Sequence, residues 1–291
     1  MSSILVLVAN PLDKALDSKL VEMIQHETRG DINWLHQRIA CEIHDPRSAD
    51  AVAIARQVIG TKPVDAGLVS VENRRKKLLV ADMDSTMIEQ ECIDELAAEA
   101  GVGAHVAAIT ARAMNGELDF EDALRARVAL LRGLPEAVIA RVIRDRITLM
   151  PGGQALVATM RANGAYAALV SGGFTAFTAS IEQVLGFDEN RANTLLLQDG
   201  KLTGQVAEPI LGRAAKVQAL TDISAMLQIT PQDAMAVGDG ANDLGMLGLA
   251  GAGVALHAKP SVAAQCDIRI NHGDLTALLY LQGYSRAEFV A

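Results

Sequence analysis

Asp82-Met83-Asp84-Ser85-Thr86 sets two carboxylates two residues apart, directly behind the apolar run Leu78-Leu79-Val80-Ala81. On extended backbone, side chains at i and i+2 face the same way, so one carboxylate can attack while its neighbour handles a proton. A lone pair of this kind is more often two solvated acids at a strand end. Two further segments change that reading. Gly238-Asp239-Gly240-Ala241-Asn242-Asp243 also follows an apolar run. Asp239 is suited to complete a magnesium site with Asp82, because hard cations take oxygen ligands and Mg2+ is often held by one or two carboxylates plus a phosphate. Ser171-Gly172-Gly173 follows a third such run and offers a hydroxyl and glycine amides that can approach a phosphate closely. Lys216, in a helical stretch, is a fixed cation that could offset phosphate charge. Taken singly, these read as a turn, a helix cap and a solvated lysine. Together they describe phosphoryl transfer, in which positioning and cations are most of what a protein must supply.

Such residues act together only if the fold brings them together. Each segment is a continuous apolar run that ends in small or acidic residues and leads into a helical pattern, as a buried parallel strand does. In open α/β sheets the ligand crevice lies at the carboxyl ends of the strands, so three such ends would converge. The expected fold class is therefore α/β, a Rossmann-like parallel sheet over residues 77–291. Good helix formers run throughout about 88–148, which reads as a helical insert capping the strand ends. Asp199-Gly200 between two β-rich runs signals a hairpin. Residues 1–72 read as a separate small α/β unit: strand from Ile4, helix from Lys14 to Ile24, one strand over Ile32–Ile43, helix from Ala49 to Ile59 and a last strand from Gly67. The charged, breaker-like stretch Glu72–Lys77 reads as a linker.

Composition narrows the function classes. The chain has 291 residues, half of them apolar and only 3% aromatic, with a net charge of −9. That is enough chain for two domains. The acidic balance and scarcity of aromatics argue against a nucleic-acid partner, and the charge argues against an anionic membrane surface. Cys41, Cys92 and Cys266 are far apart and show no metal or disulfide spacing, which fits a reducing, cytoplasmic location. The first apolar run lacks the flanks of a signal peptide.

Over residues 77 to 275 the chain resembles the haloacid-dehalogenase (HAD) superfamily phosphatases, and within them the phosphoserine phosphatases. DMDSTMIEQECIDELA, MNGELDFEDALRARVALL, MPGGQALV, SGGFTAF and VGDGANDLGML carry the likeness. The resemblance implies a HAD-type core that hydrolyses phosphoserine, the last step of serine biosynthesis, through an aspartyl phosphate. Asp82 would be the nucleophile, and Asp84 the acid that protonates the leaving oxygen and then the base that activates water. Mg2+ would be held by the Asp82 side chain, the Asp84 backbone carbonyl and the Asp239 side chain, with Asp243 nearby. Ser171, Gly172 and Lys216 would hold the phosphate, helped by Asn242. In the cap, Glu89 would meet the substrate amino group and Arg127 its carboxylate, with Met114 and Phe120 on the apolar side. The choice of Arg127 over Arg125 rests on the resemblance. Gly101/Gly103 or the region near Thr148 would hinge the cap. For residues 1–72 the resemblance suggests an ACT-like βαββαβ accessory domain, with a structural or homodimer-forming role as an equal reading. A receiver-type signalling domain also takes phosphate on an Asp, but it is far shorter, has no cap and lacks the second acid.

Overall fold

The run Ile4-Leu5-Val6-Leu7-Val8-Ala9 is buried along its whole length, which requires cover on both faces of its sheet. In the computed structural model, which describes residues 2–114 and 117–290, it forms strand β1 (Ser3–Ala9). It is followed by α1 (Ser18–Thr28), β2 (Asp31–His36), β3 (Ala40–His44), α2 (Ala51–Ile59) and β4 (Val64–Ser70). The strands form an antiparallel sheet in the order β2-β3-β1-β4. Leu5, Leu7 and Ala9 pack beneath the two helices with Leu20, Ile24 and Ala55. Ile4, Val6 and Val8, pointing the other way, join the core of the rest of the chain.

Two sequence expectations change here. Ile32–Ile43 is a hairpin rather than one strand. The chain reverses between His36 and Ala40 with Arg38 at φ 64°, and this turn has none of the Gly, Pro, Asn or Asp that normally mark one. Helix α1 starts at Ser18, not Lys14, because Asp17 caps it, its carboxylate accepting from the Leu20 amide at 2.7 Å.

The second unit runs β5 (Leu78–Ala81), α3 (Cys92–Glu99), α4 (Gly103–Met114), α5 (Phe120–Ala129), α6 (Ala137–Arg146), α7 (Gly153–Ala162), β6 (Tyr166–Phe174), α8 (Thr175–Leu185), β7 (Glu189–Asn193), β8 (Leu195–Gln198) and β9 (Lys201–Val206). It continues with α9 (Arg213–Met226), β10 (Ala234–Gly238), α10 (Leu244–Leu249), β11 (Ala252–Leu256), α11 (Pro260–Ala263), β12 (Ile268–Ile270) and α12 (Ala277–Leu281). Six strands form a parallel sheet in the order β12-β11-β10-β5-β6-β7. Leu79 and Ala81 of β5 face one apolar cluster while Leu78 and Val80 face another, so the strand carries apolar residues on both faces. Because β5 lies between β10 and β6, the segments after these three strands emerge side by side.

Between Met87 and Met150 the chain leaves the sheet and returns. The crossing is an antiparallel bridge, Ile88 to Leu149, flanked by bonds from the Glu89 amide to the Thr148 carbonyl (3.0 Å) and from the Met150 amide to the Met87 carbonyl (2.9 Å). Helices α3 to α6 lie beyond it. Of the expected hinge positions, only Thr148 is at this crossing; Gly101 (φ 74°) and Gly103 turn α3 into α4 within the helical insert. The β8–β9 hairpin turns at Asp199 and Gly200, both with positive φ, and reaches back to the insert. The Gly133 amide bonds the Leu202 carbonyl (2.8 Å), Leu202 the Leu134 carbonyl (2.9 Å) and Glu136 the Gly200 carbonyl (2.9 Å).

The two units are docked by polar groups as well as by apolar area. The buried Asp65 carboxylate accepts from the amides of Asn271, His272 and Gly273 at 2.9, 2.9 and 2.8 Å. Arg74, in the stretch read as a linker, donates to the carbonyls of Leu281 (2.8 Å) and Tyr280 (3.1 Å) and pairs with buried Glu42 at 2.5 Å. A charged run reads as solvated in sequence because the partner that buries one member is remote. Among the described residues no helix is long and apolar enough to cross a membrane.

Candidate active site

The Asp82 amide donates to the Val237 carbonyl at 3.0 Å, continuing the β5–β10 ladder past the strand end and fixing this residue beside β10. Its Oδ1 meets the ammonium of Lys216 at 2.7 Å, and the same ammonium lies 2.6 Å from Asp243 Oδ1. Lys216 comes from α9 and is fully buried. Asp243 Oδ2 accepts from the Gly240 amide at 3.0 Å. A Cβ at Gly238 would stand 2.4 Å from Asp243 Cγ, so only glycine lets this carboxylate turn back against the strand.

Asp82, Asp239 and Asp243 can each bring one oxygen within 4.8 Å of the others. Asp239 Oδ1 is buried with no hydrogen-bond partner, and a buried orphan oxygen among carboxylates is what an oxygen-seeking cation satisfies. The donor set fits a divalent metal ion.

Asp84 follows in a turn that Ser85 makes with φ 53°. This is a sparsely populated conformation for a residue with a side chain, and such conformations gather at functional sites. Asp84 lines the same cavity as Asp82, Ser171, Gly172 and Asn242. Its Oδ2 would stand 3.1 Å from a Cβ at Gly173, so the glycine leaves room for the acid. Asn242 Oδ1 and Asp84 Oδ1 are both buried without partners. Ser171 Oγ accepts from the Gly173 amide at 2.9 Å.

The helical insert closes the opposite side with Phe120 and Arg127. A Cβ on Gly172 would meet Phe120 Cζ at 2.6 Å and one on Gly212 would meet Cδ1 at 3.2 Å. The ring is seated against two glycines. Asn193, absent from the sequence expectations, holds that seat: Nδ2 donates to the carbonyls of Gly172 (2.9 Å) and Leu211 (3.1 Å), and Oδ1 accepts from the Leu211 amide (2.7 Å). Met114 ends α4, and its side chain lies outside the described residues.

One expected residue is elsewhere. Glu89 is exposed at the crossing, its Oε2 accepting from Thr148 Oγ1 at 2.7 Å, and it does not line the cavity. Glu91 does, with Oε1 accepting from Ser85 Oγ at 2.7 Å. The two glutamates are too close in sequence for spacing to separate them. The bond from the Glu89 amide to the Thr148 carbonyl turns the first outward, and the start of α3 at Cys92 brings the second in.

Asp82, Asp84, Glu91, Asp239 and Asp243 crowd negative charge that Lys216 and Arg127 offset in part. Burial, then the charges of Glu91 and Asp82, hold the Asp84 carboxyl well above the usual carboxylate range, against hydrogen bonds from Cys92. Burial raises Glu91 to about 7 despite the Ser85 hydrogen bond, with Asp82 and Asp94 adding to the rise. Asp239 is raised by burial and by Glu91, Asp243 and Asp82, and Asp243 to about 6 by burial and Asp82 against Lys216. Burial works against the Lys216 ammonium, but Asp243 and Asp82 outweigh it and strengthen its hold on the proton. Such a site offers a carboxylate beside a permanent cation, as a nucleophile needs, and a second carboxyl whose hold on its proton is strengthened by burial and by its neighbours' charge.

Residues 79–248 match the family model of haloacid dehalogenase-like hydrolases. A phosphoserine phosphatase of Streptomyces coelicolor is 43% identical over 84% of this chain and 59% of its own length. One from Polaromonas is 47% identical over 70% of this chain and 89% of that protein. A solved HAD family hydrolase from Salmonella enterica serovar Typhi superposes with a TM-score of 0.84 at 31% identity, covering 96% of this chain and 98% of that one. The chain spans less than two thirds of the length of the first curated relatives it matches.

Proposed function

The chain belongs to the haloacid dehalogenase-like hydrolases, and from that premise we propose that it is a phosphoserine phosphatase, converting O-phosphoserine to serine and phosphate. One observation carries this reading. Glu91 and Arg127, of opposite charge, line the cavity that holds Asp82. A zwitterionic head group needs an anion for its ammonium and a cation for its carboxylate, and arginine can grip a carboxylate with two parallel bonds.

In the reaction, Asp82 attacks phosphorus, a P–O bond to Asp82 forms and the bond to the serine oxygen breaks. Asp84 gives that oxygen its proton, which the acid's raised affinity keeps available. Asp84, now a carboxylate, takes a proton from water as the water oxygen attacks the aspartyl phosphate; the Asp82–phosphorus bond breaks and phosphate leaves. Ser171, the Gly172 backbone, Asn242 and Lys216 hold the phosphoryl oxygens through both steps. Mg2+, held by the side chains of Asp82 and Asp239 and the Asp84 carbonyl, would neutralise charge on those oxygens when bound. Asp243 anchors Lys216.

The buried, free cysteines Cys41, Cys92 and Cys266 accord with a cytoplasmic setting. The βαββαβ order of the first unit accords with an ACT-like accessory role. The deciding assay is phosphate release from phosphoserine against a panel including phosphohomoserine and sugar phosphates, with Mg2+ and then with EDTA. Faster turnover of an ester lacking the amino acid head group refutes the substrate, and undiminished turnover in EDTA refutes the metal.

A further inference from the structure

Arg127 is buried, and the bonds that hold it come from behind the cavity. Its Nε donates to the Ala123 carbonyl one turn back on α5 at 3.1 Å, and its Nη1 donates to Thr110 Oγ1 on α4 at 3.0 Å. Thr110 is 3% exposed and does not line the cavity. Its hydroxyl has two acceptors within reach, Asp94 Oδ1 on α3 at 2.7 Å and the Val106 carbonyl at 3.1 Å. A hydroxyl has one proton, and the shorter, charge-assisted bond to Asp94 takes it. The lone pairs of Oγ1 are then turned toward the guanidinium. Three helices of the insert therefore meet in one line: carboxylate, hydroxyl, guanidinium.

We propose that Asp94 and Thr110 are positioning residues, a relay that locks the Arg127 guanidinium in the orientation that receives the substrate carboxylate. An arginine free to sample rotamers would lose that freedom at binding and bind the head group more weakly. The relay removes the loss beforehand. Asp94, which does not line the cavity, adds counter-charge to that of Glu91 within it. This inference rests on the phosphoserine reading.

The test is Thr110→Val, which keeps the shape and removes the hydroxyl, with Thr110→Ser as the rescue. Each is assayed on phosphoserine and on phosphoethanolamine, which lacks only the carboxylate. The relay predicts that T110V raises KM for phosphoserine about tenfold, the scale of one hydrogen bond to a charged group, with a smaller change in kcat. Its kinetics on phosphoethanolamine stay at the wild-type level, which also reports an intact fold, and T110S regains the wild-type KM. An unchanged KM for phosphoserine in T110V, or an equal loss on both esters, overturns the relay while the substrate reading stands. A wild-type protein that does not prefer phosphoserine to phosphoethanolamine overturns the substrate reading and the relay with it.

Discussion

Ser85 Oγ donates to Glu91 Oε1 at 2.7 Å, so the residue next to Asp84 aims the carboxylate that shares the cavity with Arg127. The turn that places Asp84 also places Glu91, the anionic half of the proposed head-group site. Glu91→Gln keeps a hydrogen-bonding group but loses the charge. It is expected to lower kcat/KM for phosphoserine about tenfold or more, as loss of a charged partner does. Glu89→Gln, at the exposed crossing, should leave kcat/KM within about twofold, as surface changes usually do. Steady-state kinetics of the pair check the assignment, and the reverse ranking would return the role to Glu89.

Asp82→Asn removes the proposed nucleophile without altering its size. Hydrolysis should fall roughly a thousandfold or more, as loss of a nucleophile does. Acid-quenched wild-type protein should yield a phosphorylated peptide containing Asp82, and the variant none.

Lys216 is fully buried between two carboxylates. Lys216→Met leaves Asp82 and Asp243 facing each other without it. Stability without added divalent cation should drop by about 3 kcal/mol, the low end for breaking a buried ion pair. Denaturant unfolding measures the drop, and added Mg2+ should recover part of it, since a ligand of the native state stabilises it.

Glu42 gives the docking of the two units a pH dependence. Burial pushes its carboxyl upward, but Arg74, Asn33 and His44 outweigh this and hold it below its ordinary value of 4.5. The folded state therefore binds this proton less tightly than the unfolded chain. The stabilisation is complete above 4.5 and is lost as pH falls through the lower, folded value. Against Glu42→Gln, the wild type should be more stable at neutral pH, and the difference should close in acid. Thermal unfolding across pH follows it, and a gap that widens in acid would contradict the pairing.

The parallel core is legible in the amino-acid order because strands covered on both faces write continuous apolar runs. In β5, β6 and β10 those runs give way to small, polar or acidic residues that serve no apolar purpose. Asp82, Asp84, Ser171 and Asp239 are legible for the same reason. What escapes depends on direction rather than type. Glu89 is turned outward where its amide bonds Thr148 and Glu91 faces inward at the start of α3, and residue identity does not encode that. Asn193 ends an edge strand with nothing around it to mark a clamp on Gly172. The β2–β3 reversal uses Gln37 and Arg38, whose side chains give no turn signal, and Arg74 reads as solvated because Glu42 lies far away in the chain.

The clasp by which Asp65 gathers the amides of Asn271, His272 and Gly273 bears on how this protein can be dissected. Severing the chain at the linker and discarding residues 1–72 would strand three amides and strip the cover from Leu279 and Tyr280, which share a core with Ile4, Val6 and Val8. The remaining fragment would carry an oily scar prone to self-association. A catalytic fragment is thus something to be resurfaced at that scar, not simply cut free.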